Sequence, residues 1–122
     1  MGVDIQAVEA PRHGVARRFL SATELARLQS LPALEQAAEF CRVWAVKEAI
    51  LKAHGKGMFI SPRFLEVTGG ESGSSAGCQW WTVLVGDGHR AAAARVSEAG
   101  KNQVFLDAPS LSVITDWDDA SA

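Results

Sequence analysis

Apolar residues recur at Phe40, Val43, Trp44, Ile50 and Leu51, close to a 3.6-residue period. The pattern predicts a long helix from about Ala33 to His54, closed by Gly55. Lys47 and Glu48 interrupt its apolar stripe where Leu or Ala is expected. Charges on a half-buried face cost roughly several kcal/mol unless they are partnered. Either they pair with other protein groups, or they hold something charged, which would make this an active-site helix.

Ahead of that helix, Val3, Ile5 and Ala7 alternate with Asp4 and Gln6, the period of a strand over Met1 to Val8. Aspartate is depleted from strands, so Asp4 stands out. Glu9 to Gly14, with Pro11 and Gly14, predicts a loop, and Val15 to Leu20 one or two helical turns. Ser21-Ala22-Thr23-Glu24 is a capping box, opening a helix that runs to about Leu31 and stops near Pro32.

After the long helix, Ser61-Pro62 breaks the chain and Phe64 to Thr68 reads as a strand. Gly69 to Gly77 (GGESGSSAG) reads as a flexible, low-complexity loop. Gln79 to Val85 is an apolar strand, Gly86-Asp87-Gly88 a hairpin turn, and His89 to Ser97 the returning strand despite its alanine run. Glu98 to Asn102 predicts a further turn, Val104 to Leu106 a short strand, and residues 115–122 a frayed acidic tail. One strand, then helices, then an antiparallel meander defines an α+β fold, read as a single domain over residues 1–122.

Composition narrows the functional classes. The chain has 122 residues, 48% of them hydrophobic, which is ordinary for a folded domain and argues against disorder. A net charge of −2 argues against a nucleic-acid partner for the molecule as a whole. Twelve basic residues remain, and Arg12, Arg17, Arg18, Arg27 and Arg42 precede the Trp44–Gly57 stretch, a local patch suited to an acidic partner. Cys41 and Cys78 have no metal-binding spacing, and Cys41 falls in the helical stripe as a buried free thiol, in keeping with a reducing compartment. No segment approaches the roughly 18 apolar residues of a membrane span, and no secretory leader is visible. The expectation is a soluble, cytoplasmic protein without membrane contact.

Gly2-Val3-Asp4-Ile5, Arg18-Phe19-Leu20-Ser21 through Glu24, and Trp44-Ala45-Val46-Lys47-Glu48-Ala49 with Lys52 and Gly55-Lys56-Gly57 resemble, in order, the motifs of the 4′-phosphopantetheinyl transferases. The tryptophan favours the surfactin-synthetase-activating branch. The resemblance covers Gly2 to Thr68 well and the following hairpin loosely. It implies the family's fold, an antiparallel sheet packed on a long helix and shorter helices. It also implies an enzyme that moves the phosphopantetheine arm of coenzyme A to a serine of an apo acyl or peptidyl carrier protein, releasing 3′,5′-ADP. Attack at a diphosphate is catalysed chiefly by positioning and charge neutralisation, for which Mg²⁺ is the natural clamp.

Residue by residue, the resemblance makes Asp4 and Glu48 the metal carboxylates, and Glu48 also the acceptor of the serine proton. The plain alternatives are a local hydrogen bond for Asp4 and an i,i+4 ion pair with Lys52 for Glu48. Gln6 stands where many relatives carry an acid; it either offers its carbonyl oxygen to Mg²⁺ or is a plain strand residue. Lys47 and Lys52 match lysines near the coenzyme A phosphates, with stems covering apolar surface as the alternative. Gly55, Lys56 and Gly57 either present N–H groups to a phosphate or simply end the helix. Arg12, Arg17 and Arg18 are candidate carrier-docking arginines, or else a solvated charge run. Glu24 reads as a cap, Trp44, Trp80, Trp81 and Phe64 as core, and His13 and His54 as surface histidines.

Relatives of this branch are usually about twice as long, with two similar halves, and this chain matches the second half. The resemblance therefore implies a homo-oligomer, trimer or dimer, with the site at a subunit seam. The alternative function is a catalytically weak or inactive half-transferase that binds coenzyme A or carrier protein, or that needs a partner subunit.

Overall fold

The apolar stripe forms the helix it predicts. A computed structural model describes residues 1–11, 14–55 and 61–97. In it the elements are β1 (Gly2–Ala7), α1 (Val15–Phe19), α2 (Ala22–Gln29), α3 (Ala33–His54), a 3-10 turn (Pro62–Phe64), β2 (Ser72–Ser75), β3 (Cys78–Val83) and β4 (His89–Val96). The strands pair antiparallel throughout in the order β1-β4-β3-β2. The chain's first strand thus joins the meander at its far edge, and α3 packs chiefly on β4 and β1. This is the expected α+β architecture. No helix among the described residues is long and apolar enough to cross a membrane.

The core lies between α3 and the inner sheet face. Phe40, Val43, Val46, Ala49 and Ile50 meet Trp80, Ala92 and Ala94, with Leu65 and Val67 closing one end. The alanine run forms a strand because its inward members, Ala92 and Ala94, let the helix settle onto the central strand; small side chains there outweigh alanine's helical preference. Trp44 is partly buried, stacked on Phe19 with ring centroids 4.5 Å apart and edge-on to Phe40 at 5.2 Å. Phe64, expected in the core, is 50% exposed.

Two segments differ from expectation. Phe64 to Thr68 does not join the sheet, because side chains take up its backbone groups. The Val67 N–H donates to Glu24 Oε2 (2.6 Å), the Val67 carbonyl accepts from Arg27 (2.9 Å), and the Thr68 carbonyl accepts from Arg42 (3.1 Å). Glu39 binds both arginines. Burial works to raise the Glu39 carboxyl, but Arg42, then Arg27, hold it below the usual range.

Conversely, the GGESGSSAG stretch contains a strand. Ser72–Ser75 pairs with Cys78–Trp81 as a polar edge ribbon. Ala76 and Gly77 make its turn at positive φ, 51° and 74°. Gly73 is there because the Trp80 ring lies over it: an added Cβ would fall 2.8 Å from Trp80 Cζ2. The strand containing Trp80 ends at Val83 rather than Val85. The turn at 98–102, the strand at 104–106 and the tail at 115–122 lie outside the described residues.

β1 inverts the usual reading of an alternating strand. Its inward residues are Gly2, Asp4 and Gln6, while Val3 and Ile5 face outward, 57% and 55% exposed. Polar side chains therefore meet the helix, and the apolar row lies on the opposite sheet face.

Candidate active site

Gly2 sets the site's geometry. A Cβ built there would lie 2.0 Å from the Ala49 carbonyl oxygen and 2.5 Å from the Ala53 nitrogen, so only glycine permits this approach of β1 to α3. The approach brings Asp4 against the helix. The Asp4 side chain is 9% exposed and both its oxygens are engaged: Lys52 Nζ donates to Oδ1 at 2.8 Å and Gln6 Nε2 to Oδ2 at 2.7 Å. Lys52 also donates to the Val3 carbonyl at 3.3 Å.

Glu48 lies one helical turn before Lys52 and one after Trp44, whose side chain hydrogen-bonds it. Burial first, and the neighbouring Asp4 charge second, hold the Glu48 carboxyl above the usual range; Lys52 and the Trp44 hydrogen bond pull the other way. The ammonium of Lys52 thus sits on Asp4 rather than completing a simple i,i+4 pair with Glu48.

A carboxyl raised on folding carries a cost that appears as pH rises from the unperturbed value of 4.5 through the folded value, and that is absent below both. Glu48→Gln should therefore melt about 2–4 °C higher than the parent in chelator-treated neutral buffer. The gain should fade on acidification, as paired thermal melts would record; a parent that melts higher at neutral pH would reverse the sign.

Two other candidate residues have protein partners. Lys47 cannot reach a phosphate. It is fully buried and its ammonium has three acceptors: Glu24 Oε1 (2.6 Å), the Pro62 carbonyl (2.6 Å) and the Phe19 carbonyl (2.9 Å). The two successive charges in the helical stripe thus divide. Lys47 pairs inward with the α2 capping glutamate, and Glu48 turns toward Asp4. Gln6 directs its amide nitrogen to Asp4, so it braces that carboxylate as a donor.

Gly55 adopts a φ of 68° and its N–H donates to the Leu51 and Lys52 carbonyls, which is the helix-ending role. Lys56 and Gly57 lie outside the described residues, as do Arg12 and His13. Arg17 and Arg18 are exposed on α1, and Arg17 borders a cleft of about 570 Å³ between α1, α2 and α3. His54 is not a free surface group: its Nε2 lies 2.8 Å from the Ala76 carbonyl and 3.3 Å from Cys78 Sγ. Burial pushes the Cys78 thiol up to about 11, so it is not a nucleophile at neutral pH.

Sequence reasoning missed the Glu24–Lys47 pair and the Trp44 bond to Glu48. Both are contacts between residues flagged separately, and only the second leaves a trace in sequence, the i,i+4 spacing.

Two carboxylates from different elements are hard oxygen donors that suit a magnesium-like cation. Among the described residues no group of three His, Cys, Asp or Glu side chains gathers, so such a cation would complete its shell with water or substrate oxygens, as Mg²⁺ commonly does.

A helix laid against one face of an antiparallel sheet places a strand aspartate and a helix glutamate close enough for their charges to interact. The 4′-phosphopantetheinyl transferase superfamily matches residues 1–104, and the chain belongs to it. It is 41% identical over 58 residues to the 4′-phosphopantetheinyl transferase psf-1 of Bacillus pumilus, covering 48% of this chain and 25% of that protein. It is 35% identical over 60 residues to the 4′-phosphopantetheinyl transferase gsp of Aneurinibacillus migulanus (49% and 25%). With the 4′-phosphopantetheinyl transferase Sfp of Bacillus subtilis (strain 168) it shares 34% over 58 residues (48% and 26%). The matched stretch thus spans about a quarter of each relative's length.

Proposed function

We propose that the chain transfers the 4′-phosphopantetheine arm of coenzyme A to a serine of an apo carrier protein, releasing 3′,5′-ADP. The observation that carries this reading is the meeting of Asp4 and Glu48 beside Lys52, within a chain of this superfamily. The serine oxygen attacks the phosphorus that bears the pantetheine arm, and the bond from that phosphorus to the bridging oxygen of the diphosphate breaks. Glu48, one helical turn from Lys52, takes the serine proton. Lys52 neutralises charge on the departing phosphate. Mg²⁺, held by Asp4 and Glu48, would supply charge neutralisation on diphosphate oxygens.

The exposed arginines Arg17 and Arg18 suit an acidic carrier helix, which they would steer toward the site. The outward row of Val3, Ile5 and Val83, each more than a third exposed, supports a homo-oligomer, trimer or dimer, that covers this face. A second reading, a half-transferase that binds without turnover, is favoured by the neutral Gln6 beside Asp4.

Incubation with coenzyme A, MgCl₂ and an apo carrier protein should add the mass of one phosphopantetheine arm to the carrier, read by intact mass spectrometry. Asp4→Asn and Glu48→Gln should each slow this at least about 100-fold with an unchanged circular dichroism spectrum. Coenzyme A binding without 3′,5′-ADP release would select the second reading. Near-normal rates in Glu48→Gln would remove its role as base.

A further inference from the structure

We propose that Lys52 is an internal stand-in cation on Asp4, and that a divalent ion and the Lys52 ammonium compete for the same carboxylate oxygen. The inference rests on the proposed cation site. Asp4 is nearly enclosed, and both its oxygens already accept hydrogen bonds, from Lys52 Nζ at 2.8 Å and Gln6 Nε2 at 2.7 Å. A buried carboxylate without a counter-charge is costly, so some cation must attend it at all times. Each carboxylate oxygen can accept twice, but an ion entering on Oδ1 would sit beside the ammonium already bound there.

Lys52 is the donor that yields. Its side chain is 52% exposed on the last turn of α3, so its head can move into water at little cost, and half-exposed ion pairs contribute little. An ammonium within contact distance of a divalent ion is also repelled, whereas the neutral Gln6 amide is not. Gln6 therefore keeps Oδ2 and holds the carboxylate in place while Oδ1 changes partner.

The exchange gives Lys52 a second position. Once displaced, the ammonium is available to a second anion, and a diphosphate arriving at the same site provides one. Ion and diphosphate should then bind with positive coupling, each removing part of the cost of the other, and the coupling should pass through Lys52.

The test uses Mg²⁺ alone, with no coenzyme A and no carrier. Calorimetric titration of the parent, Lys52→Met and Asp4→Asn proteins should show Mg²⁺ binding about fivefold or more tighter in Lys52→Met than in the parent, and none in Asp4→Asn. In parallel, the ¹H–¹⁵N side-chain ammonium resonance of Lys52, assigned by its loss in Lys52→Met, should shift as Mg²⁺ saturates the parent. Binding that spares this resonance overturns the displacement, even if Lys52→Met binds more tightly, because loss of a nearby charge would then suffice. Equal or weaker binding in Lys52→Met overturns it too, and both results leave the cation site standing. No binding by the parent or Lys52→Met removes the site and the inference together.

Discussion

Lys47→Met should lower unfolding stability by about 3–5 kcal/mol, read from urea denaturation. The substitution leaves the Glu24 carboxylate in a fully buried position with two backbone donors, the Ser21 and Val67 N–H groups, and no counter-charge. It also strips the Phe19 and Pro62 carbonyls of their shared donor. Burial, against the opposing pull of Glu24, holds Lys47 below an ordinary lysine, which marks how far this charge has been taken from water.

The double variant Lys47→Met/Glu24→Gln should recover a substantial part of the loss, because an uncharged buried pair no longer needs compensation. The folded fraction of Lys47→Met should bind coenzyme A as the parent does. A stable Lys47→Met protein with weakened coenzyme A binding would restore the phosphate role that the burial of Lys47 excludes.

Gly2→Ala is the second large effect. The new methyl would meet the carbonyl of Ala49 and the nitrogen of Ala53, both backbone atoms of α3 that cannot rotate aside. β1 would have to lift from the helix, carrying Asp4 away from Glu48. A fall in melting temperature of about 10 °C or more is expected, together with loss of Mg²⁺ binding in calorimetry. Parent-like melting would mean that the strand does not hold this close approach in solution.

The helices were legible because each signal was local. The stripe from Phe40 to Leu51 predicted α3, and Ser21 with Glu24 predicted the cap of α2, which the structure shows. The hairpin from Cys78 to Val96 was legible from its turn. The edge strand Ser72–Ser75 was not, because its four small polar residues carry no apolar period and form a strand only by pairing with the Trp80 strand. Leu65 and Val67 alternate as a strand would, but the donors and acceptors that satisfy them come from residues distant in sequence.

At the candidate site, motif resemblance brought Asp4, Glu48 and Lys52 into one list. Their contacts follow from tertiary packing, as does the division of Lys47 from Glu48. Successive residues on a helix point about 100° apart, so two neighbouring charges were bound to face different surroundings. Which one faced the core was set by where Glu24 lies.

The inverted face of β1 has a consequence for how the chain folds. Slipping this strand by one position along β4 would tuck Val3 and Ile5 beneath the helix and expel Asp4 into solvent, an arrangement that apolar burial alone would prefer. The native pairing is therefore locally frustrated, and it is retained by the one residue small enough to sit under Ala49 and by donors waiting for a carboxylate.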